Sequence, residues 1–399
     1  MRQNTIRCLD KILGSIICYL LTLHRYFFTL FKKNINRKKY SKILFIKLVE
    51  QGSIILAYPA VKRAIDLVGK ENVYFLTFKE NFCVLEVLDI LYPYNIIQID
   101  SKNLIKLTIS VFSAISKIRK ENIDVCIDME FFSRFSAILS YLSGAETRVG
   151  LHRFNLEGLY RGDLFTHKLS YNPYLHTRIF FLSLIDALKY PPNKKEPLKF
   201  FPSDDKSLPK FLPSNEELKS FEEKLKKKII LNRPIIILNP NTSDILPLRR
   251  WPLQNFIRLG NLIKKEYPNS TIIITGRKEE KKISFYLASK IDKAFSLAGE
   301  TTLRELLLLY SLSDILITND SGPAHFSILT PLKTIVLFGP ETPLLYGYNQ
   351  NNRVELYSQL ICSPCMSVYN QKLSGCKVNL CLINISPEEV FKKVKELLK

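Results

Sequence analysis

The chain has 399 residues, 46% of them hydrophobic, with 58 Lys and Arg against 37 Asp and Glu, a net charge of +21. Length and apolar content exclude a disordered chain and allow two domains with separate cores. The positive charge points to acidic partners, but no aromatic-and-basic nucleic-acid-binding module is present, so nucleic acid is set aside in favour of anionic lipid or phosphorylated substrates.

Residues 1–42 carry ten Lys and Arg against one acid, Asp10. The greasy stretch Leu9–Phe31 is interrupted by His24 and Arg25. It falls short of the roughly 20 apolar residues of a spanning helix. No small-residue cleavage site follows, which argues against a removable signal peptide. Lys11, Ser15, Cys18, Thr22, Arg25, Thr29 and Lys32 recur at steps of four and three. On a helix they form one polar stripe, with Ile12, Ile16, Tyr19, Leu20, Leu23 and Phe27 elsewhere around it. This predicts an interfacial helix followed by a basic cluster, Lys32, Lys33, Arg37, Lys38 and Lys39, that would meet acidic headgroups. A domain-packing helix or a single-pass anchor are the other readings.

From Ser41 strand and helix patterns alternate. Strands are expected at 43–48, 73–78, 96–99 and 125–128. Helices are expected at 54–68, with Pro59 as a kink or break, and at 81–91, 104–121, 131–142 and 172–188. Strict alternation implies crossover units and a parallel sheet. Residues 190–234 contain seven prolines and read as an interdomain linker holding one helix, 216–227. Alternation then resumes, with strands at 235–238, 271–275, 295–297, 315–317 and 334–338. Helices are expected at 253–265, 279–291, 303–312 and 387–398, the last opened by a capping box from Ser386 to Glu389. The organisation is therefore a leader (1–40), a first α/β domain (41–190), a linker (191–234), a second α/β domain (235–385) and a terminal helix (386–399). Two doubly wound domains facing a central cleft are expected.

Three stretches of the second half carry chemistry. The strand at 315–317 runs into Thr318-Asn319-Asp320-Ser321-Gly322-Pro323-Ala324-His325. Asp320 or Ser321 can cap the following helix, whose backbone N–H groups suit an anion. Gly322 permits close approach, and Asp320 and His325 supply a carboxylate and an imidazole. Asn239-Pro240-Asn241-Thr242-Ser243 offers small donors for phosphate oxygens, and Arg249-Arg250 suits bidentate neutralisation of a diphosphate. Trp251 either packs or covers a ring. Glu279 and Glu280 follow another strand, where a carboxylate accepts from sugar hydroxyls or merely solvates a helix start. In the first half, Arg148, His152, Arg153 and Arg161 read as a basic loop for an anionic acceptor.

Cys8, Cys18, Cys83 and Cys126 lie among apolar residues and read as buried free thiols in a reducing compartment. Cys362, Cys365, Cys376 and Cys381 form either a structural zinc site of four thiolates or a set of reduced packing cysteines.

Lys47–Pro59, Pro240–Pro252, Ala298-Gly299-Glu300-Thr301-Thr302-Leu303, Asn319–His325 and the late cysteine loop together resemble the heptosyltransferase family, glycosyltransferase family 9. The resemblance covers about residues 41–399 and implies a GT-B fold and an inverting, metal-independent transfer. The sugar would move from a nucleotide-diphosphate donor, ADP-heptose, to a lipopolysaccharide core or similar lipid-linked glycan. No cofactor is implied. Carried over, Thr242, Ser243 and Arg249 would hold the diphosphate, with Arg250 beside it. Asp320 would bind the donor sugar, Ser321 and Gly322 would offer N–H groups, and Glu279 or Glu280 would serve the nucleoside. The family pattern Lys-x-x-x-x-Gly-Asp places its general base where this chain has Ser53. A serine cannot take that proton unaided, so Glu130 or, second, Glu50 is expected to replace it, with Ser53 on the acceptor side. A cytoplasmic enzyme peripheral to the inner face of the cytoplasmic membrane follows. Competing readings are a non-catalytic sugar-nucleotide or glycan-binding protein and a GT-B epimerase or hydrolase.

Overall fold

The computed structural model describes residues 3–29, 40–242 and 246–399, with side chains of the first helix from Asp10 to Phe27. The basic cluster Lys32–Lys39 and Ser243 lie outside the described residues. The chain divides into two compact units, Met1–Ser207 and Leu208–Lys399. The division falls inside the Pro-rich segment.

The first unit contains strands β1 (Ile43–Ile46), β2 (Val73–Phe78), β3 (Ile96–Ile99), β4 (Val125–Asp128), β5 (Thr147–Leu151) and β6 (His167–Leu169). Its helices are α1 (Gln3–Thr29), α2 (Gln51–Leu56), α3 (Tyr58–Val68), α4 (Phe82–Leu88), α5 (Leu104–Lys120), α6 (Arg134–Leu142) and α7 (Thr177–Asp186). The sheet order is β3-β2-β1-β4-β5-β6, all parallel. Strands such as Ile43-Leu44-Phe45-Ile46 are apolar on both faces because helices cover both sides. Pro59 breaks the expected long helix in two, since its ring cannot follow a continuous turn.

The second unit contains β7 (Ile235–Asn239), β8 (Thr271–Ile274), β9 (Ala294–Ser296), β10 (Ile315–Asn319), β11 (Lys333–Phe338) and β12 (Arg353–Tyr357). Its helices are α8 (Asn215–Lys226), α9 (Leu253–Glu266), α10 (Lys281–Ser289), α11 (Leu303–Leu312), α12 (Gly322–Phe326), α13 (Pro343–Tyr346), α14 (Leu380–Ile383) and α15 (Pro387–Leu398). The parallel order β12-β11-β10-β7-β8-β9 repeats that of the first unit, read from the other edge. Each sheet grows one way from its first strand and the other way from its fourth, the Rossmann arrangement with one switch point. The core joins β7, β8, β10 and β11 to α9 and α15 through Leu259, Ile263, Val390 and Val394, all at 0% exposure.

Strands β5, β6 and β12 are absent from the sequence reading. Arg148, Lys168 and Arg353 interrupt their apolar runs, and β6 and β12 are sheet edges. The expected basic loop at 148–153 thus begins as a strand.

Helix α1 forms, but its polar stripe is the seating face. Cys18 and Thr22 are buried, and the Arg25 guanidinium pairs with Asp163 at 3.0 Å. Asp10 accepts from Phe135 N at 3.0 Å and pairs with Arg134 at 3.3 Å. Ile12, Leu13, Ile16, Tyr19, Leu20 and Leu23 are about half exposed, whereas Leu21 packs inward beside Cys18. No helix among the described residues is long and apolar enough to cross a membrane. Gly162 fixes the seat: at φ +67°, a Cβ there would lie 2.5 Å from Thr22 Oγ1 and 2.6 Å from the Cys18 carbonyl. Gly162→Ala is therefore expected to destabilise the first unit by about 2–4 kcal/mol, through left-handed strain plus overpacking. Urea denaturation measures it, and an unchanged midpoint would mean that α1 is not seated there.

Candidate functional site

In the second unit, β7 and β10 are neighbours at the switch point, and the loops leaving them meet. Asn319, fully buried, ties them together: its Nδ2 donates to the Pro240 carbonyl at 2.9 Å, and its Oδ1 accepts from Trp251 N at 2.9 Å. Trp251 packs, with Nε1 donating to the Ile385 carbonyl at 2.9 Å and its ring edge-on to Phe256. Arg249 is thereby brought onto the β10 loop. Its guanidinium lies 2.9 Å from the Asp320 carboxylate and 3.6 Å from Glu341, and it donates to the Asp320 carbonyl. Lys372, from the cysteine loop, pairs with Glu341 at 3.2 Å. Asp320, Arg249, Glu341 and Lys372 thus alternate in charge, and both carboxylates are 2% exposed. A guanidinium held between two carboxylates is fixed in position and keeps its charge.

The other predicted donor-side residues divide. Arg250 Nη2 donates to the Thr242 carbonyl at 2.9 Å, and the Thr242 hydroxyl donates to the Leu246 carbonyl at 3.3 Å. They shape the loop beside Arg249. Neither Asp320 nor Ser321 caps α12: Asp320 turns to Arg249, and Ser321 Oγ donates to the Asn319 carbonyl at 3.2 Å. Gly322 is the first residue of α12, which has five residues, so charge handling falls to Arg249 rather than to a helix dipole. His325 lies edge-on to Tyr348, 5.9 Å between ring centres. Arg353, unforeseen, holds α12 by donating to the Ala324 carbonyl at 2.8 Å while pairing with Glu355 at 3.2 Å. Glu280 accepts from Arg277 N at 2.7 Å and from the Arg277 guanidinium, whereas Glu279 is exposed.

In the first unit, Glu130 follows β4 and reaches across to the loop after β1. Its Oε1 accepts from Leu48 N at 2.6 Å and Val49 N at 3.0 Å, and its Oε2 meets Lys47 Nζ at 3.1 Å. Glu130 is 5% exposed and Lys47 is fully buried. Both oxygens of Glu130 are occupied by donors from the loop after β1. Glu130 thereby holds that loop in place. The loop presents Glu50, which is exposed, has φ +67° and accepts from Ser53 Oγ at 2.9 Å. Ser53, 4% exposed, points its hydroxyl at that carboxylate.

The expected acceptor residues largely face inward. Arg148 donates to the Leu164 carbonyl at 2.7 Å and lies over the Tyr141 ring, and burial lowers its pKa to about 10. Arg161 is buried against Asp128 and Ser136. Burial raises the Asp128 carboxyl above its ordinary range, with Arg161 opposing. Burial, then Lys168, lowers His152 to about 4, so it is neutral at pH 7 and offers no charge to an anion. Arg153 is half-buried over Tyr160, 6.0 Å from its ring centre. Of the late cysteines, Cys362 and Cys376 are exposed, Cys365 is half-buried and Cys381 is buried. Among the described residues no group of three or more His, Cys, Asp or Glu side chains is placed to hold a metal ion.

Arg249→Met removes the cation paired with the buried Asp320 carboxylate, while Glu341 keeps Lys372, and is expected to destabilise the second unit by about 3–5 kcal/mol. Adding Asp320→Asn should recover part of this, and equal unfolding midpoints in urea for both variants would deny the coupling. His152 supplies a pH dependence. Its folded pKa of about 4 lies below the ordinary 6.5, so the unfolded chain binds the extra proton between those values. Stability should fall as pH drops from 6.5 to 4. His152→Gln should flatten that slope in denaturation curves taken across the window.

A family model described as glycosyltransferase family 9 (heptosyltransferase) matches residues 111–374. Lipooligosaccharide heptosyltransferase 2 of Campylobacter jejuni is 30% identical over 185 residues, 45% of this chain and 56% of that protein. The match thus spans little more than half the length of that relative. The structure of Escherichia coli ADP-heptose lipopolysaccharide heptosyltransferase II superposes with a TM-score of 0.68 at 16% identity, covering 90% of this chain and 98% of that one. A family 9 glycosyltransferase from Veillonella parvula gives 0.71 at 17% identity, covering 92% and 99%. The structural likeness establishes the GT-B fold. With the family model matching most of the sequence, the chain belongs to glycosyltransferase family 9, the heptosyltransferase family.

Proposed function

We propose that the protein is an inverting glycosyltransferase that moves a heptose from ADP-heptose to a lipopolysaccharide core or similar lipid-linked glycan, without a catalytic metal. It would work in the cytoplasm, peripheral to the inner face of the cytoplasmic membrane. The observation that carries the reading is Arg249, a half-buried cation held at the switch point of the second unit. Such points are where doubly wound domains bind nucleotides. In this reading the donor diphosphate approaches Arg249 and the Thr242–Arg250 loop, and the sugar lies beside Asp320. Glu279 is the carboxylate left exposed for the nucleoside, since Glu280 is engaged by Arg277.

The acceptor hydroxyl attacks the anomeric carbon as the bond to the diphosphate breaks, and its proton passes to a base. Glu50 fits that task better than Glu130, because its carboxylate is exposed and Ser53 holds it. The serine at the family's base position would then position a displaced base. In transfer assays with ADP-heptose and core acceptor, Glu50→Gln should lower kcat about 10²–10⁴-fold. Ser53→Ala should lower it less and shift the acid limb of the pH profile. Wild-type turnover in Glu50→Gln would remove Glu50 as the base. Donor binding without transfer in the wild type would favour the non-catalytic reading that Ser53 motivates.

A further inference from the structure

Among the described residues, the outward face of α1 is left exposed by the rest of the unit. Ile12, Leu13, Ile16, Ile17, Tyr19, Leu20 and Leu23 are 41–56% exposed. At 100° per residue they fill the half of the helix opposite Gly14, Cys18 and Thr22. The one charged residue between Ile12 and Phe27 is Arg25, which is turned inward to Asp163. Asp10, the acid of this helix, is paired with Arg134. A water-facing helix carries charge on its outer side; among the described side chains, from Asp10 to Phe27, this one carries charge only on its seating side.

A second element adds to this face. Helices α5 and α6 share one core cluster through Ala114, Ile118 and Leu139, so they lie on the same side of the sheet, and α1 packs on α6. On α5, Leu104, Ile105, Ile109 and Phe112 are 53–74% exposed. That helix contains Lys106, Lys117, Arg119 and Lys120 and no acid.

We infer that this side of the first unit is a lipid-docking face, on which α1 lies flat in the surface of an anionic bilayer. The inference stands independently of the transferase reading. Because α1 is fastened along its length by Gly162, Asp163 and Arg134, it offers one side to lipid and does not span. Its 27 residues are about 40 Å long. Buried apolar area supplies the attraction and basic residues supply the preference for anionic headgroups. Charge argues against a second copy as the occupant, since two chains of net charge +21 would bring basic faces together.

Full-length protein should float with phosphatidylglycerol-containing vesicles and bind phosphatidylcholine vesicles weakly. Ile16→Glu with Leu23→Glu, both at exposed positions, should reduce the bound fraction about tenfold or more with an unchanged unfolding midpoint. A second measurement uses the chain's single tryptophan, Trp251, which is 1% exposed. In Leu20→Trp, brominated phosphatidylglycerol should quench the added fluorophore and leave the wild-type signal unchanged. Three results would overturn the inference: flotation unaffected by the double substitution, no quenching in Leu20→Trp, or a solution dimer that the double substitution splits.

Discussion

Each unit is closed at its switch point by an ion pair that joins the loop after its first strand to the loop after its fourth. In the first unit Lys47 follows β1 and Glu130 follows β4. In the second, Arg249 lies beyond β7 and Asp320 follows β10. The splayed strand ends at a switch point leave backbone N–H groups uncovered by sheet bonding, and a carboxylate from the neighbouring loop can satisfy them. Glu130 does so with two backbone N–H groups as well as an ammonium. Removing Glu130 would leave Lys47 buried without its carboxylate, and removing Arg249 would leave Asp320 buried without its cation, so the two loops in each unit are coupled.

The two pairs serve different ends. Glu130 spends both its oxygens on holding a loop, so that Glu50 is presented from a fixed backbone. Asp320 and Glu341 instead hold a side chain, Arg249, whose own chemistry is the useful one. In the reading proposed here, the first unit positions a base and the second positions a cation. Both are set by the same topological joint.

The apolar strands of both sheets were legible because parallel strands buried on both faces leave unbroken runs such as Ile235-Ile236-Ile237-Leu238. The Asn319–His325 turn and Arg249 were also legible, since polar residues directly after such runs lie at strand ends. What escaped depended on partners distant in sequence. Arg148 was read into a basic loop for an anionic acceptor because nothing nearby announces that it donates to Leu164 and lies over Tyr141. Glu341 and Lys372 carried no motif, and their meeting with Arg249 is purely tertiary. The stripe on α1 was read correctly as polar, but periodicity alone does not say which side of a helix meets protein. The internal symmetry was hidden because the cation comes one residue after β1 but ten after β7.

Glu50 is a glutamate at φ +67°, a backbone setting that a residue without a Cβ would occupy more cheaply by about 1 kcal/mol. Folding alone would therefore favour glycine at position 50. If the carboxylate is what the reaction needs, selection at this site runs in two directions. Among related chains, glycine at this position would then be expected where a carboxylate stands in place of Ser53 and carries the proton instead.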